Sequence, residues 1–207
     1  GGSLAGYLAF RDYDIGQYQE MLNNYAQSVI WEVNRLHSQG VGLEKNNLMQ
    51  GEYKVQGDTI PLGADDSGLE FKKRLQAGNV NFYIYDQVSG QMVPGEFGPL
   101  NFGGGANFDP ATHSLTDVMD AINNTYGTYL TASITNHQLT ITSNAGYQFA
   151  VSDDTAGIMA GLGLNTFFSG DSSNTIGVNS ALTIDLKKIC AGAINGGYEG
   201  NEGDNAT

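Results

Sequence analysis

Three histidines, one cysteine and two adjacent aspartate pairs are the side chains of this 207-residue sequence best suited to chemistry. A metal site needs several His or Cys ligands at close spacing. His37, His113, His137 and Cys190 are scattered, so no such site is expected, and a lone cysteine forms no internal disulfide. Gly170-Asp171-Ser172-Ser173 spells part of a serine-protease run. No G-x-S-x-G elbow and no locally tied histidine accompanies it, so it reads as a surface turn. His113-Ser114 reads as a helix entry, not as base and nucleophile. The run from Gly161 to Thr166 half-matches a dinucleotide loop, but it follows a helical pattern instead of a strand. Asp65-Asp66 and Asp153-Asp154 offer calcium binding or acid–base work. Neither sits in an EF-hand frame, and paired carboxylates in loops face water or cap helices. The aromatics Tyr126, Tyr129, Phe167 and Phe168 would suit a glycan platform, against the plainer reading of core and interface packing. No catalytic, cofactor-binding or metal-binding residue is assigned.

The elements that would carry these residues are bounded by composition. Asp and Glu number 22 against 9 Lys and Arg, giving a formal net charge of −13. A phosphate backbone is held by clustered basic residues, and the basic cluster here is Lys72-Lys73-Arg74. Nucleic acid and anionic membrane surfaces are therefore not expected partners. No apolar run approaches the ~20 residues that span a bilayer, and the N-terminal residues lack the basic stretch and cleavage site of a signal peptide. Hydrophobic residues make up 40% of the chain, enough for a core.

Residues 1–12 read as a short helix with Leu4, Leu8 and Arg11 on one side. Asp14 with Gln17 three places on predicts an N-cap. A helix then runs to His37, with Gly40 placed to stop it, a rod of roughly 35 Å. Ile15, Tyr18, Leu22, Tyr25, Val29 and Leu36 fall at a/d spacing and form a coiled-coil-like packing seam, broken at Glu32. Ile30 and Trp31 lie off it, so a second face also needs a partner. No other segment promises a helix of comparable length. The seam's neighbours are expected to come from sequence outside this chain or from other subunits.

From about Asn46 the helical period gives way to short alternating runs. Val80, Phe82 and Ile84 alternate with Asn81, Tyr83 and Tyr85 as a half-buried strand, and residues 94–108 read as a glycine-rich loop. Ser114 caps a helix over residues 114–125, with Leu115, Val118, Met119 and Ile122 on its apolar face. A hairpin follows, turning at Asn136-His137. Tyr147–Val151 is a further strand, residues 155–162 a small helix, residues 165–180 a polar loop and the tail is frayed. The expected class is α+β: a long amphipathic helix layer plus a β-rich module with a helix–hairpin unit. The expected division is residues 1–45 as a helical layer, rejoined by 180–207, and residues 46–179 as the outer module.

Three stretches carry a family resemblance. Gly1, Gly2, Leu4, Phe10, Arg11 and Asp12, followed by Asn34, His37 and Gly40, resemble the flagellar hook-associated protein 1 family, the hook–filament junction protein. A second stretch is residues 146–170, with Phe149, Ser152-Asp153-Asp154 and Leu162-Gly163-Leu164-Asn165-Thr166-Phe167-Phe168. The third is the run from Ile176 into Asp204-Asn205. Residues 114–143 look like the helix-plus-hairpin repeat shared among flagellins and hook-associated proteins. The resemblance implies a non-enzymatic structural component of the bacterial flagellum that joins hook to filament by subunit stacking. It implies an extracellular location, reached by flagellar type III export without a cleaved signal peptide. It implies as partners the hook protein, the second junction protein and further copies of itself. It also implies an interior fragment, without the terminal coiled segments of the family and hence monomeric. The alternative reading is an extracellular glycan- or ligand-binding β-rich module.

Overall fold

The computed structural model describes residues 2–195 and 199–201. It opens on a rod made of α1 (Ser3–Ala9), a π-helical turn (Phe10–Asp14) and α2 (Ile15–His37). The expected cap at Asp14 is not made. Asp14 is itself helical (φ −67°, ψ −41°) and its side chain caps nothing, because the π turn carries the backbone straight through from α1. The change of texture near Asn46 holds. Residues beyond it form short strands and small helices, giving the α+β class.

Two antiparallel three-stranded sheets make up most of the β part. β1 (Leu48–Gln50), β5 (Gln138–Ser143) and β4 (Leu130–Thr135) form one, in that spatial order. β3 (Met92–Pro99), β2 (Asn81–Asp86) and β6 (Tyr147–Ser152) form the other. The β4–β5 loop is the two residues Asn136 and His137, both at positive φ (53° and 62°). That is the twist-matched hairpin turn, which places Thr135 opposite Gln138.

α3 (Leu115–Tyr126) begins with a full capping box. The Ser114 hydroxyl oxygen accepts from the Asp117 N–H, while the Asp117 carboxylate accepts from the Ser114 N–H at 2.8 Å. The helix buries Leu115, Val118, Ala121, Ile122 and Tyr126 in the main core, and Met119 packs at its edge. There they meet Phe82, Ile84, Leu130, Ile141 and Phe149, with Phe82 stacked on Phe149 at 6.2 Å.

Two readings of the sequence are corrected here. β2 is covered on both faces. Tyr83 and Tyr85 are buried with Val41, Met92, Ala150 and Ile194, because Val41 and the segment around Ile194 come back over that side. Residues 94–99 are strand, not loop: after a bulge, Phe97, Gly98 and Pro99 pair with Tyr83, Phe82 and Asn81. β3 is an edge strand, which is where prolines are tolerated in a sheet. The expected polar loop also holds a small hairpin, β7 (Phe168–Ser169) with β8 (Gly177–Val178).

The chain then passes through α5 (Ser180–Ile184) and back to the end of α2, where Val41 and Gly192 pair their backbones. β9 (Ala193–Asn195) pairs with β10 (Glu199–Asn201), so those residues are not frayed. The rest of the tail reading, at 196–198 and 202–207, lies outside the described residues.

Truncating the aromatic stack tests this core. Phe82→Ala should lose about 3–5 kcal/mol in urea unfolding. Ser114→Ala, which removes only the cap, should lose about 1 kcal/mol.

Candidate functional site

The rod buries side chains against the β part through its C-terminal turns, from Ala26 on. Ala26, Ile30, Trp31, Asn34 and His37 are the buried residues of α2. Ile30 and Trp31 pack with Phe71 and Ala160, flanked by Tyr53 and Phe168. Trp31 and Phe71 lie 5.8 Å apart, Phe71 and Tyr53 5.4 Å. The indole sits on the turn that starts α4 (Ile158–Leu162). A Cβ at Gly157 would come within 2.9 Å of the Trp31 ring, and Gly157 is also at φ +75°. Only glycine meets both demands.

That turn is built by Asp154. Its carboxylate is buried and accepts the N–H groups of Gly157, Ile158 and Met159 at 2.8–3.1 Å. Burial pushes its pKa up to about 6, against the pull of those donors. Asp153 is exposed, as are Asp65 and Asp66.

A polar clamp lies beside the apolar patch. The Asn34 amide binds the Phe168 backbone on both sides, donating to its carbonyl at 2.9 Å and accepting its N–H at 2.8 Å. One turn on, His37 Nδ1 lies 2.8 Å from the Asn165 carbonyl, and Nε2 lies 3.0 Å from the Cys190 N–H. A carbonyl only accepts and an amide N–H only donates, so the ring is neutral with its proton on Nδ1. Burial lowers the His37 pKa, against the Asn165 bond, which raises it. Gly40 closes the joint: a Cβ there would stand 2.7 Å from the Cys190 Cβ. Asn165 ties the same place together, donating to the Ser38 carbonyl at 3.2 Å. Asn34 and His37 from one motif thus interlock with Phe168 and Asn165 from the other, 128 to 134 positions apart, while Gly40 meets Cys190.

The predicted seam lies on another side of the rod. Ile15, Tyr18, Leu22, Tyr25 and Leu36 are exposed, Tyr25 to 72%, Leu36 to 65%, Tyr18 to 61% and Leu22 to 58%. Val29 is half-buried. At about 100° per residue these positions fall away from the Ile30–Asn34 side. Leu4, Tyr7 and Leu8 of α1, Phe10 and Tyr13 of the π turn, and Met21 extend the exposed apolar surface. Nothing among the described residues covers it.

The remaining candidates do not converge. His113 Nδ1 accepts the Asp109 N–H, and His137 sits at the surface 2.8 Å from Asp58. Ser172 bonds to Thr175, and Ser173 bonds to Asn23 of α2, so the Gly170–Ser173 run is a turn without a histidine. Among the described residues no three His, Cys, Asp or Glu side chains group as metal ligands, and no helix is long and apolar enough to cross a membrane. Tyr126 is buried, its hydroxyl donating to the Gly98 carbonyl at 2.9 Å. Tyr129 is half-buried, edge-on to Tyr147.

The fold is α+β, and the rod carries an exposed apolar stripe that no described residue covers. Residues 1–51 match the model of the flagellar hook-associated protein FlgK helical domain. No curated protein matches the chain. The family match covers the rod, the turn after it and β1, 51 of the 207 residues.

The clamp was not foreseen as a site. Its signal in the sequence is a pair of polar residues, Asn34 and His37, spaced i, i+3 on the side of α2 that carries Ile30. Asn34→Leu keeps the volume and strands the Phe168 N–H and carbonyl. It should lose about 2–5 kcal/mol in urea unfolding, since each unsatisfied buried group costs about 1–3 kcal/mol. Gly157→Ala should lose about 1–3 kcal/mol from backbone strain, before any displacement of Trp31.

Proposed function

We propose that this chain is a module of the hook–filament junction and performs no catalysis. Its function is mechanical. Residues 1–45, rejoined by 180–207, form the helical layer of the subunit, and residues 46–179 project outward. The seam of Ile15, Tyr18, Leu22, Tyr25, Val29 and Leu36 packs on helices contributed by sequence outside this chain. Stacked subunits then bridge the hook protein and the second junction protein. The subunit leaves the cell through flagellar type III export without a cleaved signal peptide. The acidic surface keeps free copies apart before assembly.

One observation carries the reading: an apolar rod surface with nothing among the described residues against it. Exposed contiguous apolar surface of this size marks an interaction site. Of the four aromatics of the glycan-binding alternative, Tyr126 is inside the core.

The test is a paired substitution, Tyr18→Glu with Leu22→Lys, at two exposed positions one turn apart. In this chain alone it should change stability by about 0.5 kcal/mol or less, because neither side chain is buried here. In the complete protein, in a flagellated host, it should abolish swimming and leave hooks without filaments. Normal filaments would overturn the reading. The isolated chain should scatter light as a single subunit at every concentration.

A further inference from the structure

The joint at the end of α2 has a property the assembly reading does not need. His37 is the one side chain there that must stay neutral for its bonds to exist. Nδ1–H donates to the Asn165 carbonyl and Nε2 accepts the Cys190 N–H. A proton on Nε2 turns that acceptor into a donor facing a donor. The Asn165 bond survives protonation and the Cys190 bond does not.

The groups around the ring leave no compensation for the new charge. α2 contributes Asn34 and, facing outward, Arg35 paired with Glu32. The turn after α4 contributes Asn165 and the edge of the Phe167 ring at 5.6 Å, both neutral. The returning segment contributes Cys190, Asp185, Lys187 and Lys188. Burial holds the Cys190 thiol protonated, with its pKa pushed up to about 11. Asp185 is occupied in accepting the Lys187 N–H, and Lys187 is paired at the surface with Glu44. Lys45, from the strip after α2, lies over the Tyr85 ring. Among the described residues no carboxylate bonds the ring, so an imidazolium finds no partner there.

We propose that His37 is a pH-sensitive latch that holds the returning segment, residues 186–195, against the end of α2 and lets it go on acidification. The sign follows from the buried ring. Its proton affinity is lower in the folded chain than in the unfolded one, whose histidine titrates near the ordinary 6.5. As pH falls below about 6.5 the open form takes the proton first, so closure weakens from there down to the folded-state midpoint. Among the described residues the segment is also tied by the Val41–Gly192 pairing, by the Leu43 N–H bond to the Lys187 carbonyl and by Ile194, buried with Val41, so the latch loosens the Leu186–Gly192 part first. The Asn34 clamp on Phe168 involves no titrating group and stays shut.

Hydrogen exchange by mass spectrometry tests this on the chain as it stands, corrected for the intrinsic pH dependence of exchange. Between about pH 7.5 and about pH 5, protection of residues 186–195 should fall several-fold, while α3 and β5 keep theirs. In His37→Gln, which keeps an acceptor but takes no proton, protection of 186–195 should not change with pH. An unchanged wild type, or an equal loss in the variant, overturns the latch. Should the variant not fold, NMR on the wild type decides. The Cys190 amide must shift together with the His37 ring, at a midpoint below 6.5. A Cys190 amide indifferent to that titration, or a midpoint at or above 6.5, overturns it. Neither experiment depends on assembly into a flagellum.

Discussion

A single glycine under an indole sets the geometry of this molecule. Trp31 packs against the turn at Gly157, where a Cβ would come within 2.9 Å of its ring. That contact fixes where α2 leaves the β part, and with it the direction of everything N-terminal. Asn34 and His37 brace the same end of the rod. From Ile15 to Asn24 its ties are the Asn23–Ser173 hydrogen bonds, and the nearest beyond is Gln27 to Glu70. A lever held only at one end transmits any tilt at its base to its tip. The need for a stiff base explains why a joint of so few residues carries so many directed bonds.

Apolar burial alone would not give that stiffness. Ile30, Trp31 and Phe71 provide driving force, but hydrophobic contact is not directional. Asn34 and His37 supply direction, since amide and imidazole bonds to main chain tolerate little rotation. They bind backbone atoms of Phe168, Asn165 and Cys190, so the joint depends little on the side chains at those positions. Asp154 acts in the same manner one layer below, organising three N–H groups at the start of α4. Buried polar residues here are the fasteners, and the greasy ones the adhesive.

Local rules were legible where local rules decide. The Ser114 box, the Asn136-His137 turn and the C-terminal end of α2 at His37 all follow from residues within four places of one another. The failures share a cause. Asp14 has the chemistry of a cap, but a cap needs the chain before it to leave the helix, and α1 does not. Tyr83 and Tyr85 read as the wet side of a strand because Val41 and Ile194, which cover them, are distant in sequence. β3 hid behind its glycines and prolines, since pairing with β2 is a tertiary fact. The joint at Asn34 and His37 was visible as two family motifs and invisible as one object. No spacing rule connects residue 34 to residue 168. The seam was found because heptad spacing is periodic, although periodicity does not say which stripe the chain itself will cover.

The π-helical turn at Phe10–Asp14 has a consequence for whatever lies along the rod. A helix with one extra residue in a turn comes out of it rotated by up to about 100°. Leu4 and Leu8 continue the arithmetic of Ile15, Tyr18 and Leu22 in the sequence, yet in space the two stripes are out of phase. A straight companion that lies along the second cannot remain on the first. It must swing around the rod near Phe10 or hand over to another strand of the assembly there. The bulge thus divides one apparent zipper into two shorter ones with different bearings, and a bundle made from such rods would change its winding at that level.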